Sequence, residues 1–159
     1  MEFVFTSSDG LYQVVLPTKV VVSFSQYCTR AHPKETGGII IGHYTQDGLV
    51  ATITKATPPP RDSKAGSNWF IRGTSGLRSF LEKWWERPDR RYYLGEWHYH
   101  PALVVEPSVE DIKQMIQISE DRKYSCPEPI MLIMGSIQQK KRSVRAYVFP
   151  RRDQMIELF

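Results

Sequence analysis

Hydrophobic spacing divides the chain into short strands and a few helices. Residues 2–6 and 11–16 read as strands around the turn Ser7-Ser8-Asp9-Gly10, because Asp-Gly between apolar runs is a strong hairpin signal. From Pro17 to Ala31 the apolar positions Val20, Phe24, Tyr27, Cys28 and Ala31 recur at helical spacing, and Pro33 marks the exit. Gly37 to Tyr44 and Leu49 to Thr54 predict a second hairpin with a buried strand, stopped by Pro58-Pro59-Pro60. Residues 61–67 read as a polar loop. Leu77, Phe80, Leu81, Trp84 and Trp85 form an apolar stripe on a helix from Ser75 to Glu86, where core packing is the expected role of the tryptophans.

Tyr92 to His98 predicts a strand that runs into a loop at Pro101. A helix from Ser108 to Arg122 turns Ile112, Met115 and Ile116 inward. Ile130 to Met134 and Ser143 to Phe149 read as strands joined through a Gly135-Ser136 turn. The order lacks the βα rhythm and glycine fingerprint of a dinucleotide fold.

Length and composition fit one folded domain over residues 1–159. The 159 residues are 41% hydrophobic and 24% charged, ordinary globular values. The start, Met1 to Phe5, lacks the features of a signal peptide, and no segment reaches the apolar length of a membrane span, so a cytoplasmic protein is expected. Cys28 and Cys126 then read as two buried thiols. A formal net charge of +4 is too small to indicate nucleic acid as a partner. Its clusters, Arg87, Arg90 and Arg91, and then Lys140, Lys141, Arg142, Arg145, Arg151 and Arg152, suit an acidic protein partner if folding unites them.

The residues with chemistry to offer are His98, His100 and Asp111. Two imidazoles and a carboxylate make a zinc-type donor set that leaves a fourth position for water or substrate. Histidines two apart near a strand end emerge on one side, with Tyr99 pointing the other way. Asp111 falls in the first turn of the next helix, where backbone N–H groups favour a carboxylate. Ser108-Val109-Glu110-Asp111 also reads as a helix cap close to a capping box. His32 and His43 form no further close pair and are expected not to be ligands, although His43 lies where it could approach the cleft.

These residues carry a resemblance. Glu35-Thr36-Gly37-Gly38-Ile39-Ile40-Ile41-Gly42, then Gly95, His98-Tyr99-His100-Pro101, and Ser108 with Asp111, resemble the signature of the JAMM metalloproteases, also called JAB or MPN-type. The resemblance spans residues 15 to 145. It implies an α/β (α+β) fold of cytidine-deaminase-like JAB/MPN architecture, a curved mixed β-sheet flanked by helices. It further implies one catalytic zinc ion on His98, His100 and Asp111, Glu35 as the proton carrier, and Ser108 as a donor to the developing oxyanion. Gly37 and Gly38 fit close approach by a substrate backbone. Trp69 or its neighbour Phe70 either covers the core or forms a substrate shelf. Tyr99 stands where many members have a small serine and is expected at the pocket rim.

The compact chain resembles bacterial members encoded beside ubiquitin-conjugation homologues, including those of cyclic-nucleotide-based antiphage systems. The implied reaction is hydrolysis after the C-terminal glycine of a ubiquitin-like modifier or its protein conjugate. Two alternatives stay open. One is a peptidase that matures sulfur-carrier proteins, and the other is a noncatalytic MPN-type scaffold, against which the five intact site residues argue.

Overall fold

A computed structural model describes residues 1–102 and 105–159. Eight strands form one mixed sheet in the order β1-β2-β4-β3-β7-β8-β9-β10. They are β1 (Glu2–Thr6), β2 (Gln13–Pro17), β3 (Thr36–Tyr44), β4 (Val50–Ala56), β7 (Tyr92–Tyr99), β8 (Ile130–Gln138), β9 (Lys141–Val148) and β10 (Ile156–Leu158). The pairs β2–β4 and β7–β8 are parallel. The two outer strands meet: Thr6 and Phe159 exchange backbone hydrogen bonds of 2.8 and 2.9 Å, so the sheet curls nearly into a barrel. This agrees with the expected curved mixed sheet, and β10, unforeseen in the sequence, supplies the closure.

The sheet has a core on each face. Helix α1 (Thr18–Ala31) lays Val20, Phe24 and Cys28 on one side, against Leu94, Trp97, Ile130 and Leu132. On the other side, Met115 and Ile118 of α3 (Val109–Glu120) meet Met131, Ile133 and Tyr147. Alternating β8 residues thus serve both cores, as a period of two requires. Each fully buried aliphatic side chain contributes roughly 1.5–3 kcal/mol. Trp97 is central to the α1 face, with Phe24 edge-on at 5.1 Å and its Nε1 donating to Thr57 O at 2.9 Å.

Several local expectations change. The buried face of α3 carries Asp111, Met115, Ile118 and Ser119, which follow i, i+4, i+7, i+8, so Ile116 lies outside that stripe and is 42% exposed. Gly135 and Ser136 are not a turn. They lie inside β8 at a bulge, where a Cβ on Gly135 would sit 2.2 Å from Ser143 Oγ. The turn is Gln139-Lys140, both at positive φ (47° and 65°), as two-residue hairpins demand. Helix α2 (Leu77–Trp85) buries none of its residues, and Trp85 packs edge-on against Tyr92 on the surface instead of entering the core. The stretch read as a loop includes β5 (Lys64–Ala65), which pairs with β6 (Phe70–Ile71) as a small hairpin.

Three arginines of the second basic cluster are tied into the fold. Arg142 Nη1 donates to Gly135 O at 2.8 Å, Arg151 Nε to Ser119 O at 2.6 Å, and Arg145 Nε to Glu157 at 2.7 Å. Among the described residues, no helix is long and apolar enough to cross a membrane. Cys28 and Cys126 are buried and free, as expected.

Candidate metal centre

Strand β7 brings the histidines to the α3 face of the sheet. A bulge opposite Ile40 and Ile41 is built on Gly95, whose φ of 146° and 1.9 Å approach of a would-be Cβ to Ile130 O both require glycine. Beyond that bulge, Glu96, His98 and His100 share one face, while Trp97 and Tyr99 take the other. Parallel β8 fixes the strand's end, where His100 N donates to Met134 O at 2.9 Å.

Asp111 meets both histidines. His98 Nδ1 lies 2.8 Å from Asp111 Oδ1, and His100 Nε2 lies 3.2 Å from Oδ2. The three residues offer ligand atoms within 4.8 Å of one another. Helix α3 aims the carboxylate through a capping box in which Ser108 Oγ accepts from Asp111 N at 3.1 Å and Asp111 Oδ2 accepts from Ser108 N at 2.8 Å. Burial raises the Asp111 pKa, but hydrogen bonds from His100 and His98 outweigh it and hold the carboxyl well below its usual range. Burial lowers the His100 pKa, and Asp111, aided by Glu35 and a backbone hydrogen bond to Glu106, more than reverses this.

A cation fits here by an observation independent of the donor list. His98 Nε2 is buried and has no hydrogen-bond partner among the described residues. A buried polar nitrogen carries a desolvation cost that an added partner removes. The arrangement is a metalloprotease-type His-His-Asp triad capable of coordinating a metal ion.

Glu35 lies between α1 and β3, half-buried, with its N–H donating to Gly66 O at 2.8 Å. Burial raises its carboxyl pKa, His100 and His98 oppose this, and Asp111 adds to it, so all three triad residues act on this group. The remaining candidates divide. Gly37 touches the site from behind, since a Cβ there would meet Trp97 O at 2.5 Å and both His98 Cδ2 and Phe70 Cε1 at 2.8 Å. Gly38 is hemmed by Thr57 and the Trp97 indole. Both glycines lie buried in an inner strand, and the chain's own packing occupies the space beside them. Tyr99 is 1% exposed on the α1 face, where its hydroxyl contacts His32 Nδ1 at 2.9 Å. Trp69 is 46% exposed, and its indole covers Gly66. His43 is exposed near the far end of β3 from Glu35.

Two features of the site escape a reading by spacing. Phe70 stands edge-on to the His98 ring, with centroids 5.5 Å apart. Glu96, fully buried two residues before His98, pairs with Arg72 at 2.6 Å and accepts from Tyr93 Oη at 2.7 Å. The available signal was the carboxylate itself, because Glu96 inside the apolar run Leu94 to Tyr99 requires a partner.

Comparison with known proteins agrees with the geometry. Residues 17–148 match the family described as prokaryotic homologs of the JAB domain. A protein of Enterobacter hormaechei named CD-NTase/cGAS isopeptidase is 40% identical over 154 residues, 97% of this chain and 84% of its own length. A probable metalloprotease of Sinorhizobium fredii is 31% identical over 130 residues, 75% of this chain and 73% of its own length. The solution structure of a Desulfitobacterium hafniense protein superposes with a TM-score of 0.64 at 18% identity, covering 87% of this chain and 85% of that one, and supports the fold alone. With the family match spanning most of the chain and the triad in place, this protein belongs to the prokaryotic JAB-domain family.

Proposed function

We propose that the protein is a zinc-dependent isopeptidase that hydrolyses the bond after the C-terminal glycine of a ubiquitin-like modifier, including one joined to a lysine of another protein. We place it in a bacterial conjugation-like antiphage system. The observation that carries the proposal is the triad His98, His100 and Asp111 with the Glu35 carboxyl in its electrostatic field. The Enterobacter protein's name, CD-NTase/cGAS isopeptidase, supports the substrate class. Free, buried Cys28 and Cys126 suit a reducing compartment such as the cytoplasm.

His98, His100 and Asp111 would hold the ion, since two imidazoles and one carboxylate are a common catalytic zinc set. Bound zinc supplies Lewis acidity, which makes water a better nucleophile near neutral pH and polarises the carbonyl. The chain's own groups do the rest. Glu35 takes a proton from the attacking water as the oxygen joins the carbonyl carbon. It then delivers that proton to the lysine nitrogen as the C–N bond breaks. Outside the ligand set, Glu35 leaves a coordination position open. The Ser108 oxygen accepts from Asp111 N, and its own O–H remains available to donate to the oxygen that gains charge.

The test is Glu35→Gln, offered a ubiquitin-like protein joined through its terminal glycine to a lysine. Zinc content should stay at one per chain while release of free modifier falls by roughly 100- to 10,000-fold. Near-wild-type cleavage by folded, zinc-loaded E35Q would overturn the mechanism. Wild type that trims only a sulfur-carrier precursor would overturn the substrate.

A further inference from the structure

We infer that Arg72 and Glu96 are positioning residues: their ion pair fastens the hairpin of residues 62–75 to β7 and thereby sets both His98 and Glu35. The meaning of those two targets rests on the functional reading above. Glu96 is wholly buried, and the Arg72 side chain is 6% exposed. Each nitrogen of the guanidinium is engaged, with Nε on Glu96, Nη1 donating to Gly73 O at 2.8 Å and Nη2 to Tyr124 Oη at 3.4 Å. An ion pair withdrawn this far from water is a poor source of stability compared with packed apolar groups, so its contribution here is direction.

The connectivity shows what is directed. Glu96 precedes His98 by two residues on the same face of β7. Arg72 follows Phe70 by two residues, and Phe70 stands against His98. Phe70, Arg72, Glu96 and His98 therefore close a ring through two side-chain contacts and two short backbone links. Gly37 makes room for it, since any Cβ there would strike both Phe70 and His98.

The same hairpin reaches Glu35. Its base is held by Asp62, which accepts from Thr74 N and Ser75 N at 3.0 and 2.9 Å, and by Ser63 Oγ, which accepts from Gly73 N at 2.9 Å. Near its tip, Gly66 O accepts from Glu35 N, and the Trp69 indole lies over Gly66. One anchored segment thus touches a metal ligand through Phe70 and the proton carrier through Gly66.

A single R72A change would strand a buried carboxylate and risk unfolding, so the double variant R72M/E96M is the proper probe. The apolar pair offsets the lost ion pair, while the Tyr93 hydroxyl and the Gly73 carbonyl lose their partners, so it should fold and melt a few degrees below the wild type. Its Glu35 amide should nevertheless exchange hydrogen about tenfold faster, and its zinc should pass to a chelator about tenfold faster, the lower end of the effect of disturbing residues around metal ligands. The second variant, F70L, keeps apolar volume and should speed zinc release similarly while leaving Glu35 exchange unchanged. A folded double variant with wild-type exchange and zinc release overturns the inference. If the double variant does not fold, wild-type zinc release by F70L overturns it. Wild-type protein that binds no zinc would count against the functional reading, whereas Glu35 exchange tests the fastening in metal-free protein as well.

Discussion

Ser108 and Asp111 hold each other twice, the Ser108 hydroxyl accepting from the Asp111 amide and the Asp111 carboxylate accepting from the Ser108 amide. The carboxylate oxygen in that exchange, Oδ2, also faces His100. A helix cap therefore aims the carboxylate of a triad capable of coordinating a metal ion. Ser108→Ala should lower stability by about 1 kcal/mol through loss of the cap. Ser108→Asn, a good cap without a hydroxyl, should restore stability but leave turnover down by roughly 100-fold or more. Urea denaturation beside single-turnover cleavage separates the two effects, and wild-type turnover by folded S108A, which has no donor there, would confine Ser108 to capping.

Removing a ligand should uncouple folding stability from zinc. In wild type, zinc at about 100 times its dissociation constant should add roughly 2.7 kcal/mol, which a chelator removes. In H98A, H100A and D111A, zinc and chelator should leave the melting temperature where it is. A variant still stabilised like wild type would exclude its residue from the ligand set.

The pH profile should carry the mark of Glu35. Its carboxyl must be ionised to accept a proton, and burial raises its pKa. In the metal-free protein the ionised fraction is therefore lost at higher pH than for an ordinary glutamate, about 4.3. A bound cation favours the carboxylate, so the Glu35 titration followed by NMR should move down on zinc addition, and the acid limb of kcat/KM should follow the zinc-loaded titration. Zinc occupancy measured at each pH separates this limb from metal loss, and E35Q should abolish it. A limb that, at full occupancy, does not follow the carboxyl titration of the zinc-loaded protein would remove Glu35 from the proton path.

Gly37→Ala should destabilise the fold and the centre together, because its Cβ would enter the contact between Phe70 and His98. A cost of roughly 1–3 kcal/mol is expected from overpacking, with weaker zinc binding. Unchanged zinc affinity in a folded G37A protein would show that the ring can move without harm to the ligand.

Charge reversal in the second basic cluster should act on folding. R145E would set a carboxylate against Glu157 and Glu106 in place of the ion pairs there. Since the Arg145 side chain is one-third exposed, solvent screening limits the expected loss to about 1 kcal/mol. Lys140 and Lys141, exposed at the β8–β9 turn, are the sites at which an acidic partner is better sought, by the salt dependence of its binding to K140E/K141E.

The legible part of the site was the part encoded locally. His98 and His100 share a face by strand period, and Ser108 with Asp111 forms a cap within one helical turn. Pairings between distant segments left little trace: Arg72 meets Glu96 across 24 residues, and Phe70 reaches His98 only because β5 and β6 fold back. The Gln139-Lys140 turn was hidden for another reason, since neither residue type favours positive φ and the hairpin register imposes it. Trp84 and Trp85 followed a sound helical stripe, but α2 rests on the outside of a sheet whose two faces are already covered by α1 and α3.

The parallel register of β7 with β8 has a consequence for how the protein is made. His98 lies on an inner strand, and His100 just past its end, flanked by β3, which is made earlier, and by β8, which is made after α3. Ligand-bearing residues 98 to 111 are thus synthesised before the strand that supports them, and His100 gains its backbone partner only when Met134 arrives. A truncated, released chain ending before Ile130 should capture zinc far more weakly than one extended through Phe149. Metal capture would then wait for β8, which completes the backbone pairing around both histidines.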